Sequence, residues 1–323
     1  MATRFLSCLL FGALVPLASA EREIKTVEVT YTPLKGLEPD PDGFDRRDNS
    51  DIIKVGDLYY VWYSKLNQDL EPTISNIWYA TSPDGITWTE KGQSVTTGEK
   101  GSWDERVVYT PGILAADGKY YLFYTAQSFE ETGWEEGAPK TFIGIASSDS
   151  PDGPWVKSPD NPVLLPSEDK TQFDSFRIDD SCLIKRDGKY WLYYKGREWM
   201  KPPTETKMGV AIAEKPEGPY KKNPNNPLAE GGHEVLVWPE GDGVGALVGM
   251  KLGKEVPFRL MHAEDGLNFK KTGLISNFNA PWAAGAFRPE AFTDNGKGEM
   301  IEWGLHIAGK RPNVLLERFD LAK

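Results

Sequence analysis

Ile52-Ile53-Lys54-Val55-Gly56-Asp57-Leu58-Tyr59-Tyr60-Val61-Trp62-Tyr63 is a short apolar run, a Gly-Asp turn and a second run rich in aromatics. The same sentence is written twice more, as Ile113-Leu114-Ala115-Ala116-Asp117-Gly118-Lys119-Tyr120-Tyr121-Leu122-Phe123-Tyr124 and as Leu183-Ile184-Lys185-Arg186-Asp187-Gly188-Lys189-Tyr190-Trp191-Leu192-Tyr193-Tyr194. Two short apolar runs joined by a turn whose glycine accepts a positive φ read as a β-hairpin. A second hairpin follows each: Ile77-Trp78-Tyr79-Ala80 before Ser82-Pro83-Asp84-Gly85, Ile143-Gly144-Ile145-Ala146 before Ser150-Pro151-Asp152-Gly153, and Val210-Ala211-Ile212-Ala213 before Lys215-Pro216-Glu217-Gly218. Leu260-Met261-His262-Ala263 before Glu264-Asp265-Gly266 is a fourth. Proline presets φ and glycine completes each turn.

Two hairpins make a four-stranded antiparallel unit, and the unit recurs every roughly 50–70 residues, as in repeat folds. A fifth, divergent copy runs from Phe287-Arg288-Pro289-Glu290 through an Asp294-Asn295-Gly296 turn to Glu302-Trp303-Gly304 and Val314-Leu315-Leu316-Glu317. The expected fold is all-β, a five-bladed β-propeller with four antiparallel strands per blade. A β-sandwich with coincidental hairpins is the competing reading, and four near-copies of one turn argue against it. No 3.6-residue apolar period is sustained, so helices are expected to be short or absent.

The expected domain plan is a signal peptide at 1–20, a lead-in segment at 21–45 and the propeller at 46–323. Arg4 gives the signal its positive start, residues 5–17 are mostly apolar, and Ala18-Ser19-Ala20 is a small-residue cleavage site. A secreted or periplasmic location follows. Cys8 falls in that leader, leaving Cys182 alone in the mature chain and excluding an intramolecular disulfide. The formal net charge of -11 argues against nucleic acid and anionic membrane as partners. Aromatic residues make up 12% of the chain, suited to stacking on sugars, although those inside strand patterns are expected to be core.

In a propeller the innermost strand of each blade lines the channel, so polar residues just before these strands converge. They are Asp48 and Asp51 in the first blade, Arg106, Tyr109 and Thr110 in the second, Asp179 and Asp180 in the third, His233 and Glu234 in the fourth, and Arg288 and Glu290 in the fifth. Gathered carboxylates raise one another's pKa while nearby arginines lower it, so one cluster can supply both an acid and a base. Glycoside hydrolysis needs that pair. Plainer readings stand beside these. Asp48 and Asp51 have the usual places of turn residues, Glu290 is placed to pair with Arg288, His262 and His306 read as structural, and Asp84, Asp152 and Asp265 as turn residues only. Two adjacent acids opening an apolar strand, Asp179-Asp180, are costly unless paired. No glycine-rich phosphate loop, zinc-spaced histidine pair or Gly-x-Ser-x-Gly elbow is present. No cofactor is required, and a water-coordinated divalent cation in the channel is left open.

At these residues the chain resembles the five-bladed glycosidases of glycoside hydrolase family 117, relatives of family 43. The phrases that carry the resemblance are Arg47-Asp48-Asn49-Ser50-Asp51, Arg106-Val107-Val108-Tyr109-Thr110-Pro111, Asp179-Asp180 before an aromatic strand, and His233-Glu234-Val235-Leu236-Val237-Trp238-Pro239. The resemblance implies an exo-acting, inverting α-1,3-glycosidase that releases 3,6-anhydro-L-galactose from neoagaro-oligosaccharides. Asp48 is then the general base, Asp179 or Asp180 the carboxylate that tunes pKa, and His233 the general acid with Glu234 beside it. A histidine suits the acid's role because its unperturbed pKa lies near 6.5. Arg106, Tyr109, Thr110, Lys195, Arg197, Trp238, Arg288 and Glu290 are the expected substrate contacts. The helical N-terminal extension that members often carry is not expected, which leaves dimerisation and oligomeric state undetermined. Two rivals remain: a family 43-like arabinan or xylan enzyme with Glu234 as acid, and a carbohydrate-binding propeller without turnover.

Overall fold

The structure is a computed structural model that describes residues 25–67, 69–70, 73–129, 140–231, 235–249, 258–275, 281–311 and 314–322. The expected signal peptide lies outside these residues, as do His233 and Glu234. Five separate sheets make five blades. Strand counts vary, which corrects the expectation of four antiparallel strands throughout. The second blade is regular, with Val107–Ala116 innermost, then Lys119–Gln127, Phe142–Ser148 and Val156–Lys157. In the first, the inner strand is broken into Asp45–Arg47 and Ile53–Val55, both antiparallel to Leu58–Asn67, and Ile74–Ser82 and Thr89–Val95 lie outside them. In the third, Arg177–Arg186, Lys189–Arg197, Lys207–Ala213 and Lys221–Lys222 follow in order, and Ala229–Glu230 also pairs with Lys207–Ala213. The fourth blade runs from Val235–Glu240 through Gly243–Val248 and Arg259–Ala263 to Lys270–Ile275, where Lys25–Val27 adds a parallel fifth strand.

The fifth blade joins both ends of the chain. Val29–Pro33 forms its outermost strand, antiparallel to Leu315–Leu321, with Trp303–Ala308 and then Trp282–Ala286 further in. Its inner strand therefore precedes the expected one. Phe287-Arg288-Pro289-Glu290 leads into a loop, and Asp294-Asn295-Gly296 is no hairpin turn within that blade. Asn295 Oδ1 and Asp294 Oδ1 instead accept hydrogen bonds from the backbone N–H groups of Asp187 (3.1 Å) and Gly188 (2.9 Å), capping the third blade's first hairpin. Phe292 packs against three of the four core clusters, so this loop reaches the middle of the ring.

Blade strands are covered on both faces, and their side chains alternate between the two. Tyr60 and Trp62 pack with Val108, Ile113 and Leu122 of the second blade, whereas Val61 and Tyr63 pack with Trp303 and Leu305 of the fifth. Tyr121 and Phe123 face the third blade, and Leu122 and Tyr124 face the first. That double burial is why these strands read as unbroken aromatic runs rather than as apolar-polar alternation. Trp62, Trp88 and Trp238 are among the largest fully buried side chains.

Tyrosines also staple the first four blades, each to the next. The Tyr60 and Tyr79 hydroxyls donate to the Asp152 carboxylate at 3.3 and 3.2 Å, Tyr121 donates to Glu217 at 2.9 Å, and Tyr193 donates to the Gly266 carbonyl at 2.9 Å. Asp152 is thus more than the turn residue it was expected to be. The turn that shapes one blade's outer hairpin also holds the previous blade. Among the described residues the helical content is one 3-10 turn, Pro203–Glu205, and no helix is long and apolar enough to cross a membrane.

The inner strands come closest where Gly285 meets the first blade: a Cβ there would lie 1.9 Å from the Ser50 carbonyl oxygen. Gly285→Ala is expected to destabilise the fold by about 1–3 kcal/mol through overpacking. Gly56→Ala, at φ +60° with nothing within 4 Å, is expected to cost about 1 kcal/mol from its left-handed backbone alone. Urea denaturation of the two variants beside the parent measures the difference.

Candidate active site

Four inner strands break their ladder at the same level. One extra residue separates Tyr109 from Gly112, Asp179 from Cys182 and Trp282 from Gly285, relative to the neighbouring strand. Within each bulge a non-glycine residue is left-handed: Thr110 at φ 44°, Asp180 at φ 54° and Ala283 at φ 46°. Asp48, in the break of the first blade's inner strand, has φ 50°. Bulges of this kind re-aim a side chain and are common beside functional sites. Each such backbone costs roughly 1–2 kcal/mol for an L-residue, least for Asp and Asn. All four residues line one pocket, together with Asn49 and Ser181.

The shared conformation aligns Asp48 with Asp180, not with Asp179. Asp179 is buried, with Oδ1 3.2 Å from Lys195 Nζ, while Asp180 Oδ2 lies 2.5 Å from the same ammonium. Burial pushes the Asp180 carboxyl up to about 7. Lys195 pulls against that rise, while the charges of Asp179 and Asp48 add to it. Asp48 is held by an ion pair from Arg47 Nε at 2.8 Å. The pocket therefore contains one carboxylate gripped by an arginine and, facing it, one whose proton is retained to near neutrality. That asymmetry is what general acid-base chemistry requires of a carboxylate pair.

Beneath them Asp51, only 4% exposed, is no turn residue. Its carboxylate pairs with Arg288 Nη2 and accepts from the Ala286 N–H at 3.1 Å, with Cys182 Sγ 3.5 Å away. Arg288, also 4% exposed, donates through Nη1 to the Val237 carbonyl at 2.5 Å. Burial is the largest influence on Asp51 and pushes its carboxyl up, against the pull of Arg288. The Cys182 thiol is likewise pushed up to about 12.

The expected substrate contacts divide. Thr110 and Lys195 belong to the site. Tyr109 stands beside it, accepting a hydrogen bond from Gln127 Nε2 at 2.9 Å and raised to about 12, chiefly by burial. Arg106 lies over the Phe129 ring at 5.7 Å, and Arg197 over Phe176 at 4.9 Å. Three expectations are corrected. Arg288 is buried, pairs with Asp51 rather than with Glu290, and lines a second cavity rather than the bulge pocket. Trp238 is 2% exposed within the core. Glu290 lines a separate cavity of about 260 Å³, which includes Phe287, Met300 and Glu302. Its position after the fifth inner strand, rather than before it, puts it away from the bulges. Asn49 and Ser181 stand in the polar stretches expected to converge but were given no role, and sequence reasoning passed over Ala283 and Ala284. The signal for the last two is their place before Gly285, matching Asp180-Ser181 before Cys182. Among the described residues no group of three His, Cys, Asp or Glu side chains is placed to hold a metal ion.

The raised Asp180 pKa has a signed consequence for stability. The native state holds this proton above the ordinary carboxyl value of 3.8, so its contribution is complete below 3.8 and is lost as pH rises through about 7. Asp180→Asn carries no such titration. Relative to the parent, the variant is expected to gain stability as pH rises from about 4 to about 8. Chemical denaturation across that range checks it, and parallel curves would contradict it.

Comparison with known proteins places the chain among glycoside hydrolases. The description of "Glycosyl hydrolases family 43" matches residues 44–198. An extracellular endo-alpha-(1->5)-L-arabinanase of Thermotoga petrophila is 29% identical over 171 residues, 44% of this chain and 32% of that protein. Xylosidase/arabinosidase 43A of Humicola insolens is 30% identical over 94 residues, 29% of this chain and 23% of that protein. The chain thus spans a third or less of the length of these two curated relatives. The solved structure of a family 117 glycoside hydrolase produced by the marine bacterium Zobellia galactanivorans superposes with a TM-score of 0.80 at 32% identity, covering 93% of this chain and 92% of that one. With the bulged inner strands, the paired carboxylates and this near-complete match, the chain belongs to family 117 of the glycoside hydrolases, enzymes that cleave O-glycosyl bonds.

Proposed function

We propose that this chain is an exported, exo-acting, inverting α-1,3-glycosidase that removes 3,6-anhydro-L-galactose from the non-reducing end of neoagaro-oligosaccharides. The observation that carries the reading is the single pocket in which Asp48 and Asp180 converge from the first and third blades. Inversion takes one displacement. Asp48 accepts a proton from the attacking water as its oxygen bonds to the anomeric carbon, while the departing oxygen is protonated by an acid on the opposite side of the ring. His233, two residues before the fourth inner strand, is proposed as that acid, with Glu234 orienting it. Asp180, still protonated near neutral pH, donates a hydrogen bond to a sugar hydroxyl and sets the field around Asp48. No cofactor is assigned a step.

The family 43 match over residues 44–198 favours a second reading, an arabinan- or xylan-type glycosidase with Glu234 as the acid. Incubation with neoagaro-, carrageenan-, arabinan- and xylan-derived oligosaccharides, followed by product chromatography, separates the two. The first reading expects a monosaccharide product from the neoagaro series alone. Asp48→Asn is expected to lower kcat by about 10²–10⁴-fold. His233→Gln is expected to do the same. Near-parental activity in His233→Gln would favour Glu234, and no product from any series would favour a binding protein.

A further inference from the structure

The pocket is unequal from side to side. Among the described residues, the first three blades contribute carboxylates, an amide and hydroxyls, including Asp48, Asn49, Thr110, Asp180 and Ser181. The fifth contributes Ala283 and Ala284, with no polar side-chain atom, and Val235 of the fourth lies beside them. Ala283 holds the structural position that is Asp48, Thr110 or Asp180 in the other bulged strands. Alanine is an odd occupant there. Asp and Asn tolerate the left-handed backbone better, and a methyl group makes no hydrogen bond that would offset the strain.

We infer that Ala283, with Ala284 and Val235 beside it, is a specificity-determining wall that receives the hydroxyl-poor edge of the terminal sugar. Sugar rings offer hydroxyls on most edges, and an apolar wall would leave those hydroxyls without partners. An edge where an intramolecular ether replaces two hydroxyls has no donor to strand there. A site that strands polar groups discriminates strongly, whereas one that merely fits an extra methylene discriminates weakly. The polar half then grips the remaining hydroxyls, and the apolar half selects the bridged ring. This inference rests on the proposed reading of the site and names the residues that make the choice.

The test compares the parent, Ala283→Gly and Ala283→Asn. Glycine and asparagine both accept a left-handed backbone, so both variants are expected to keep the parent's circular dichroism and melting cooperativity. The substrates are two disaccharides that differ only in the non-reducing ring, one 3,6-anhydro-L-galactose and the other unbridged L-galactose. The parent's kcat/KM ratio is expected to favour the bridged substrate. Asparagine is expected to reduce that ratio by at least about tenfold, and glycine to change it by less than about threefold. A ratio that neither variant changes, or that both change alike, overturns the inference. If the parent cleaves neither disaccharide, the proposed function fails, and calorimetric binding of the two free monosaccharides decides the inference alone. Tighter binding of the bridged sugar by the parent but not by Ala283→Asn supports it, and equal binding of both sugars by the parent overturns it.

Discussion

The buried ion pair between Asp51 and Arg288 is the constraint on which the rest of the ring depends. Asp51 comes from the first inner strand, Arg288 from the chain just past the fifth, and the partners around them are the Val237 carbonyl of the fourth blade and Cys182 of the third. Packing between neighbouring blades is largely apolar, with tyrosine hydrogen bonds at its edge. A charged pair in the low-dielectric middle is more exacting, because each charge is costly unless it meets its one partner. Losing either member leaves a buried charge unpaired, an effect of about 3–5 kcal/mol in comparable cases. Asp51 also lines the pocket that holds Asp48 and Asp180, so the interaction that joins the first blade to the fifth anchors the chain three residues from Asp48.

In this pocket the chemistry follows from unequal surroundings. Asp48 has an arginine at 2.8 Å. Asp180 is buried, and that burial, followed by the charges of Asp179 and Asp48, makes its proton harder to remove against the pull of Lys195. Two chemically identical groups thus have unlike surroundings, and burial with nearby charge pushes the Asp180 carboxyl up to about 7. The left-handed backbone at each bulge is the local cost of turning these side chains into the channel rather than along it.

Much of this was legible in the residues. The repeated aromatic hairpins and Pro-Asp-Gly turns announced blades because both signals are local. The fifth inner strand was hidden because Trp282-Ala283-Ala284-Gly285-Ala286 is selected by crowding at the channel, not by strand propensity, and Gly285 has no room for a side chain. Asp294-Asn295-Gly296 misled because hairpin-turn chemistry there caps a different blade. The equivalence of Asp48 and Asp180 needed three dimensions. Between paired positions the first inner strand holds two extra residues and the third only one, so an ungapped alignment slips by one and pairs Asp48 with Asp179. Arg288 was recognised as a channel residue but given the wrong neighbour, since its partner stands 237 positions away.

The most direct measurement is a crystal structure of Asp48→Asn soaked with a neoagaro-oligosaccharide. The account predicts the terminal sugar seated between the Asp48 position and Asp180, with the scissile oxygen turned toward the fourth blade. A sugar found only elsewhere on the molecule, or one held in this pocket with Asp180 out of reach of the ring, would contradict it.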